Sequence, residues 1–144
     1  MLNNLDQPMA NLEAQLAHID SIYSQIACNP NNREIEQQLL GRRTNFEHIR
    51  CLVEYLKQAA SSRAMQNSLR VAIELKLIMK LHYEEFSSLA DYNAKQFVAY
   101  LRTSVLELYL FSALMEKIIV QMFEAVLIAV RVDFMPKWPE LIPK

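Results

Sequence analysis

The chain has 144 residues, 52% of them hydrophobic, with one Gly and five Pro, and its 15 Lys+Arg nearly balance its 16 Asp+Glu. That length suits one domain with a buried core, and a composition so poor in turn residues and rich in Leu, Ala, Ile, Glu, Gln and Lys points to an all-helical protein. The lack of a basic excess or stripe argues against direct nucleic-acid binding.

Apolar residues recur at helical spacing along the chain. Leu12, Leu16, Ile19, Tyr23 and Ile26 mark one face of a first helix. Residues 29–32, Asn-Pro-Asn-Asn, read as a turn, with Asn32 placed to cap a short second helix that ends near Gly41. A third helix, over residues 45–59, buries Phe46, Ile49, Leu52, Val53 and Leu56, while Glu47, Arg50, Glu54 and Lys57 occupy its other face. The fourth, about residues 64–86, sets Leu69, Ala72, Ile73, Lys76, Leu77 and Met79 around its circumference. A fifth begins near Asp91, a candidate N-cap, and carries Phe97, Val98, Leu101, Val105 and Leu108.

The sixth helix, about residues 114–132, is apolar on most sides. Leu114, Ile118, Met122, Ala125, Ala129 and Val132 form one stripe, and Ile119, Phe123, Val126 and Val130 form another. A helix with two such stripes is expected to pack against neighbours on both sides. Medium-length helices joined by short polar turns form antiparallel neighbours. Helix pairs that start at intervals of roughly 30 to 50 residues fit a HEAT or armadillo stack, in which interior helices need broad apolar surfaces.

Chemistry-bearing groups are sparse. Cys28 and Cys51 lie in separate segments without a CxxC motif, and are expected as reduced, partly buried thiols. His82 stands beside Glu84 and Glu85, but His18 and His48 lie elsewhere without ligand spacing, so no metal site is expected. A Gly-rich phosphate loop is impossible with one glycine, and no Gly-x-Ser-x-Gly or Cys/His arrangement supplies a nucleophile. Neither enzymatic activity nor a cofactor is expected. Met65, Met79, Met115 and Met122 occupy apolar helical positions and read as core. Glu107, Glu116, Lys117, Glu124 and Arg131 interrupt the most apolar region, so membrane insertion is not expected. The first ten residues lack the basic and apolar parts of a signal peptide, which suggests a soluble intracellular protein.

The sequence finishes on DFMPKWPELIPK, residues 133–144, where Pro136, Pro139 and Pro143 cannot continue a helix. Asp133 is expected to cap the next helix or tie this turn through backbone N–H groups, Trp138 to cover the end of the sixth helix, and Pro139 to open a further one. The longer stretch VQMFEAVLIAVRVDFMPKWPELIP resembles the N-terminal domain of the importin-β (karyopherin) superfamily. There a helix Q-L-x-x-A-I-x-x-I-A runs into D-F-P-x-x-W-P-x-L-L-P. Gln121, Met122, Glu124, Ala125 and Val126 match the helical part, and Asp133, Phe134, Trp138, Pro139, Leu141 and Pro143 match the corner. In the preceding repeat, Ala72, Leu75, Lys76 and Tyr83 also fall into the family's pattern, whereas Pro136 lies one position late and Leu77 replaces an asparagine.

The resemblance implies a right-handed α-α superhelix, with residues 1–144 forming one domain of about two and a half HEAT repeats, truncated at its C-terminus relative to the family. It implies the N-terminal part of a nuclear transport receptor, working in cytoplasm and nucleus and at the nuclear envelope. Such a domain binds the small GTPase Ran in its GTP form through inner helices, here residues 45–59 and 91–110. Glu47, Arg50, Glu54, Lys57, Lys95 and Arg102 are the implied Ran-facing residues, and Asp133, Phe134, Trp138 and Pro139 the implied structural motif. Phe-Gly nucleoporins and protein cargo are further implied partners. The alternative is a self-contained HEAT-like scaffold or adaptor without transport activity. A truncated product would leave the sixth helix with an uncovered apolar face.

Overall fold

The computed structural model describes residues 7–29, 31, 33–61, 67–111 and 116–134. They form six helices, α1 (Gln7–Cys28), α2 (Arg33–Arg42), α3 (Phe46–Ser61), α4 (Ser68–Ser88), α5 (Tyr92–Phe111) and α6 (Glu116–Phe134), with no strand among them. The protein is all-α. No described helix is long and apolar enough to cross a membrane.

Local chemistry sets several boundaries. Asn45 caps α3, its Oδ1 accepting the His48 N–H at 3.1 Å, and Asp91 caps α5 in the same way through the Ala94 N–H at 3.2 Å. Helix α2 ends at Arg42, beside Gly41 as expected, but not through a glycine cap, since Gly41 does not have a positive φ. The expected stop needed a left-handed residue, and the chain turns instead through bonds from the Arg43 N–H to the Leu40 carbonyl and the Asn45 N–H to the Arg42 carbonyl. The expected Asn32 cap lies outside the described residues, as do Met65 and Met115, while Met79 and Met122 are buried.

The core is continuous through all six helices, α2 contributing only Ile35 and Leu39, and is centred on Leu52, Leu56, Leu75, Ile78, Leu101 and Met122. Every apolar position expected on α5 is buried, and Phe46 is the one α3 position left half-buried. At one end Phe46 stacks on Phe97 with centroids 4.2 Å apart and meets Phe86 edge-on at 5.2 Å.

Extended packing joins each helix from α3 onward to its successor, and also α1 to α3, α3 to α5 and α4 to α6. Cross-links fix the direction of these pairs. Gln15 and Asp20 of α1 meet Cys51 and Tyr55 of α3. Phe46 and Arg50 of α3 meet Phe97 and Tyr100 of α5. Lys76 and Tyr83 of α4 meet Glu124 and Asp133 of α6. In each pair the numbers rise together, so next-but-one helices run parallel. Between α5 and α6 they run opposed, since Arg102 reaches Asp133 while Tyr109 meets Phe123. The result is a helical-repeat-like arrangement, with α1, α3 and α5 side by side in one layer and α4 and α6 in another.

Helix α6 packs on both α4 and α5. Ile118, Met122, Ala125 and Ala129 are buried; of the second stripe, Ile119 and Val126 are half-buried against the core and Phe123 meets Tyr109 of α5, but Phe123 and Val130 remain exposed. It also continues through Phe134, and the turn and further helix expected after it lie outside the described residues, but Asp133 itself is anchored inward. Its Oδ2 accepts the Tyr83 hydroxyl at 2.7 Å and Arg102 Nη1 at 2.9 Å. The other two expected motif residues, Trp138 and Pro139, lie outside the described residues.

Candidate interaction surface

Helical spacing alone puts Glu47, Arg50, Glu54 and Lys57 on the face of α3 opposite Ile49, Leu52, Val53 and Leu56. In the structure Arg50, Glu54 and Lys57 of that face border α5, where Tyr100 fills the seam between the helices, while Glu47 lines a recess toward α1. The Arg50 guanidinium lies 4.7 Å from the Tyr100 ring centroid, and Lys57 Nζ lies 5.4 Å from it. Lys57 also approaches Glu54 at 3.7 Å, a half-buried pair at the surface that orients more than it stabilises. Burial, with help from Glu54, pushes the Tyr100 phenol up to about 12, so the ring stays neutral at physiological pH and offers its face to the flanking cations. A shallow depression of about 360 Å³ continues the surface along Lys57, Gln96, Tyr100, Thr103 and Glu107.

Lys95 and Arg102 do not join this cluster. They stand five residues before and two after Tyr100, about 200° around α5 from it by helical geometry. Lys95 is exposed there, while Arg102 turns toward α6 and pairs with Asp133. The six residues therefore fall into a group of four on α3 and a pair on the far flank of α5.

A second recess, of about 480 Å³, opens between α1 and the start of α3, lined by Gln15, His18, Arg42, Asn45, His48 and Cys51 among others. Burial first, then Arg42 and His18, hold His48 down at about 4, so its imidazole is neutral. The Cys51 thiol donates to Gln15 Oε1 at 2.7 Å and is pushed up to about 11, mainly by burial. That thiol is a core group rather than a nucleophile. Cys28 is free and exposed, in contrast to the partial burial expected of it. His82 pairs with Glu85 at 3.3 Å on an exposed turn.

Two polar features of this region escaped sequence reasoning. Tyr100 follows Phe97 by three residues and reads as one more core aromatic, although its ring organises the α3 cations. Glu74 lies beside Val71, Leu75 and Ile78 in a buried stripe, and a carboxylate there signals a buried partner. The partner is Arg43, which donates to both Glu74 oxygens at 2.7 and 3.0 Å.

Compared with known proteins, the chain matches no family model, no curated protein and no solved structure.

Proposed function

We propose that the chain is a HEAT-like stack in a right-handed superhelix, the N-terminal part of an importin-β-like nuclear transport receptor whose α3–α5 face binds Ran in its GTP form. The observation that carries this reading is the parallel packing of next-but-one helices, α3 beside α5 and α4 beside α6. A stack of helix pairs requires that geometry, whereas in an up-down four-helix bundle next-but-one helices lie diagonally across the core. The corner motif and the mixed-charge surface around Tyr100 support the same reading. Charges of both signs on such a face set specificity and association rate more than affinity. Arg50, Lys57, Glu54 and Glu47 are its contact residues, and Lys95, on the far flank of α5, lies outside it. Phe-Gly nucleoporins and cargo would engage other surfaces.

A second reading, a HEAT-like scaffold without transport activity, is favoured by Arg102, which is committed to Asp133 rather than left for a partner. One experiment separates them: titration of the purified chain with Ran loaded with GTP and with GDP. The receptor reading expects the GTP form to bind at least about tenfold tighter, and Arg50→Glu or Lys57→Glu to weaken it about tenfold or more. Absence of binding to either form by a folded, monodisperse chain sinks the receptor reading and leaves the scaffold.

A further inference from the structure

The outward side of α6 carries Val120, Phe123, Leu127, Val130 and Phe134, each between 39% and 48% exposed. Their spacings are three, four, three and four residues, the heptad seam by which one helix receives another. This row lies opposite Ile118, Met122, Ala125 and Ala129, which face the core. By area the five side chains expose roughly 400 Å², the size of the largest apolar patches found on monomers.

We infer that the occupant of this seam is a second copy of the chain, lying antiparallel across α6 on a two-fold axis at Leu127. The charges beside the seam select that arrangement. Glu124 and Arg131 occupy the same flank one heptad apart, and both are exposed. An axis at Leu127 sets Glu124 level with the partner's Arg131 and Arg131 level with the partner's Glu124, since facing residues then sum to about 254. Within the row, Leu127 meets itself, Phe123 meets the partner's Val130, and Val120 meets the partner's Phe134. A parallel pair would instead set Glu124 and Arg131 against the opposite flank, where Ile119 and Val126 offer no charge. Glu124 also bonds Lys76 through Oε2 at 3.0 Å, which leaves Oε1 for the second pair. The contact is below the roughly 800 Å² per partner of a standard interface, which places the dimer in the weak, transient class. It is independent of Ran binding, which uses α3 and α5.

Sedimentation of the full chain over a wide concentration range tests the inference, with helicity followed by circular dichroism. The expected result is reversible monomer–dimer association. Leu127→Glu, which would bury a charge at the axis, shifts its midpoint upward by about a hundredfold, while Leu81→Glu, on the exposed side of α4, leaves it unchanged. Cysteine trapping in a Cys28→Ser background reads the register. Leu127→Cys cross-links to itself, and Val120→Cys cross-links only when mixed with Phe134→Cys, because like ends lie about 21 Å apart along the helix. A chain monomeric at every concentration, as expected if another segment or protein fills the seam, overturns the proposal. So does a dimer indifferent to Leu127→Glu, or self-linking of Val120→Cys.

Discussion

His48 is buried where α3 meets α1, its Nε2 without a hydrogen-bond partner and its pKa held at about 4. An unfolded chain protonates this imidazole near 6.5, so between those values the unfolded state binds the extra proton. The stabilising difference is complete above about pH 6.5 and is lost as pH falls toward 4. Urea unfolding at pH 7 and pH 4.5 should show a loss of about 2–3 kcal/mol attributable to this group. His48→Leu should flatten that part of the profile, and an unchanged pH dependence in the variant would remove His48 as its source. The Arg43–Glu74 pair makes the complementary point. A paired charge inside the stack is tolerated because both carboxylate oxygens are bonded, whereas the lone imidazole is tolerated by staying neutral.

At the level of the element, α6 is held at its C-terminal end by more than apolar packing. Asp133 accepts from Tyr83 of α4 and Arg102 of α5, so one carboxylate joins three helices. Tyr83 is fully buried, and its hydroxyl has no solvent to turn to if the carboxylate is removed. Asp133→Ala should therefore destabilise the protein by about 2 kcal/mol, and Tyr83→Phe, which removes only the donor, by about 1 kcal/mol. Chemical denaturation of both single variants and the double should give a combined loss smaller than the sum. An additive result would show that the Tyr83–Asp133 bond carries no coupling energy. The same clasp explains why Arg102, an exposed base by spacing alone, is a structural residue.

For the molecule as a whole, stability follows the pattern of packing between layers. Helices α3, α4 and α5 each have extended contacts with three other helices, while α2 makes only slight contacts and buries only Ile35 and Leu39. A stack joined through near neighbours opens first where neighbours are few. Amide hydrogen exchange should accordingly be fastest in α2 among the helices and slowest in α3 to α5. Equal protection across α2 and α4 would contradict this ordering.

How much of this was legible beforehand differs by feature. The helices, the Asp91 cap and the buried positions of α5 follow from hydrophobic period and cap chemistry, which act within a turn or two of the chain. The polar face of α3 follows in the same way, as the complement of its core positions. Tertiary structure alone decided that Tyr100 lies beneath Arg50 and Lys57, that Asp133 binds Tyr83 and Arg102, and that Phe123 and Val130 of the second α6 stripe stay exposed. Each depends on which helices become neighbours, and residues 31 to 50 positions apart in sequence carry no mark of that meeting in their local pattern. Apolar period says that a helical face can be buried; only the packing of the other helices says whether it is.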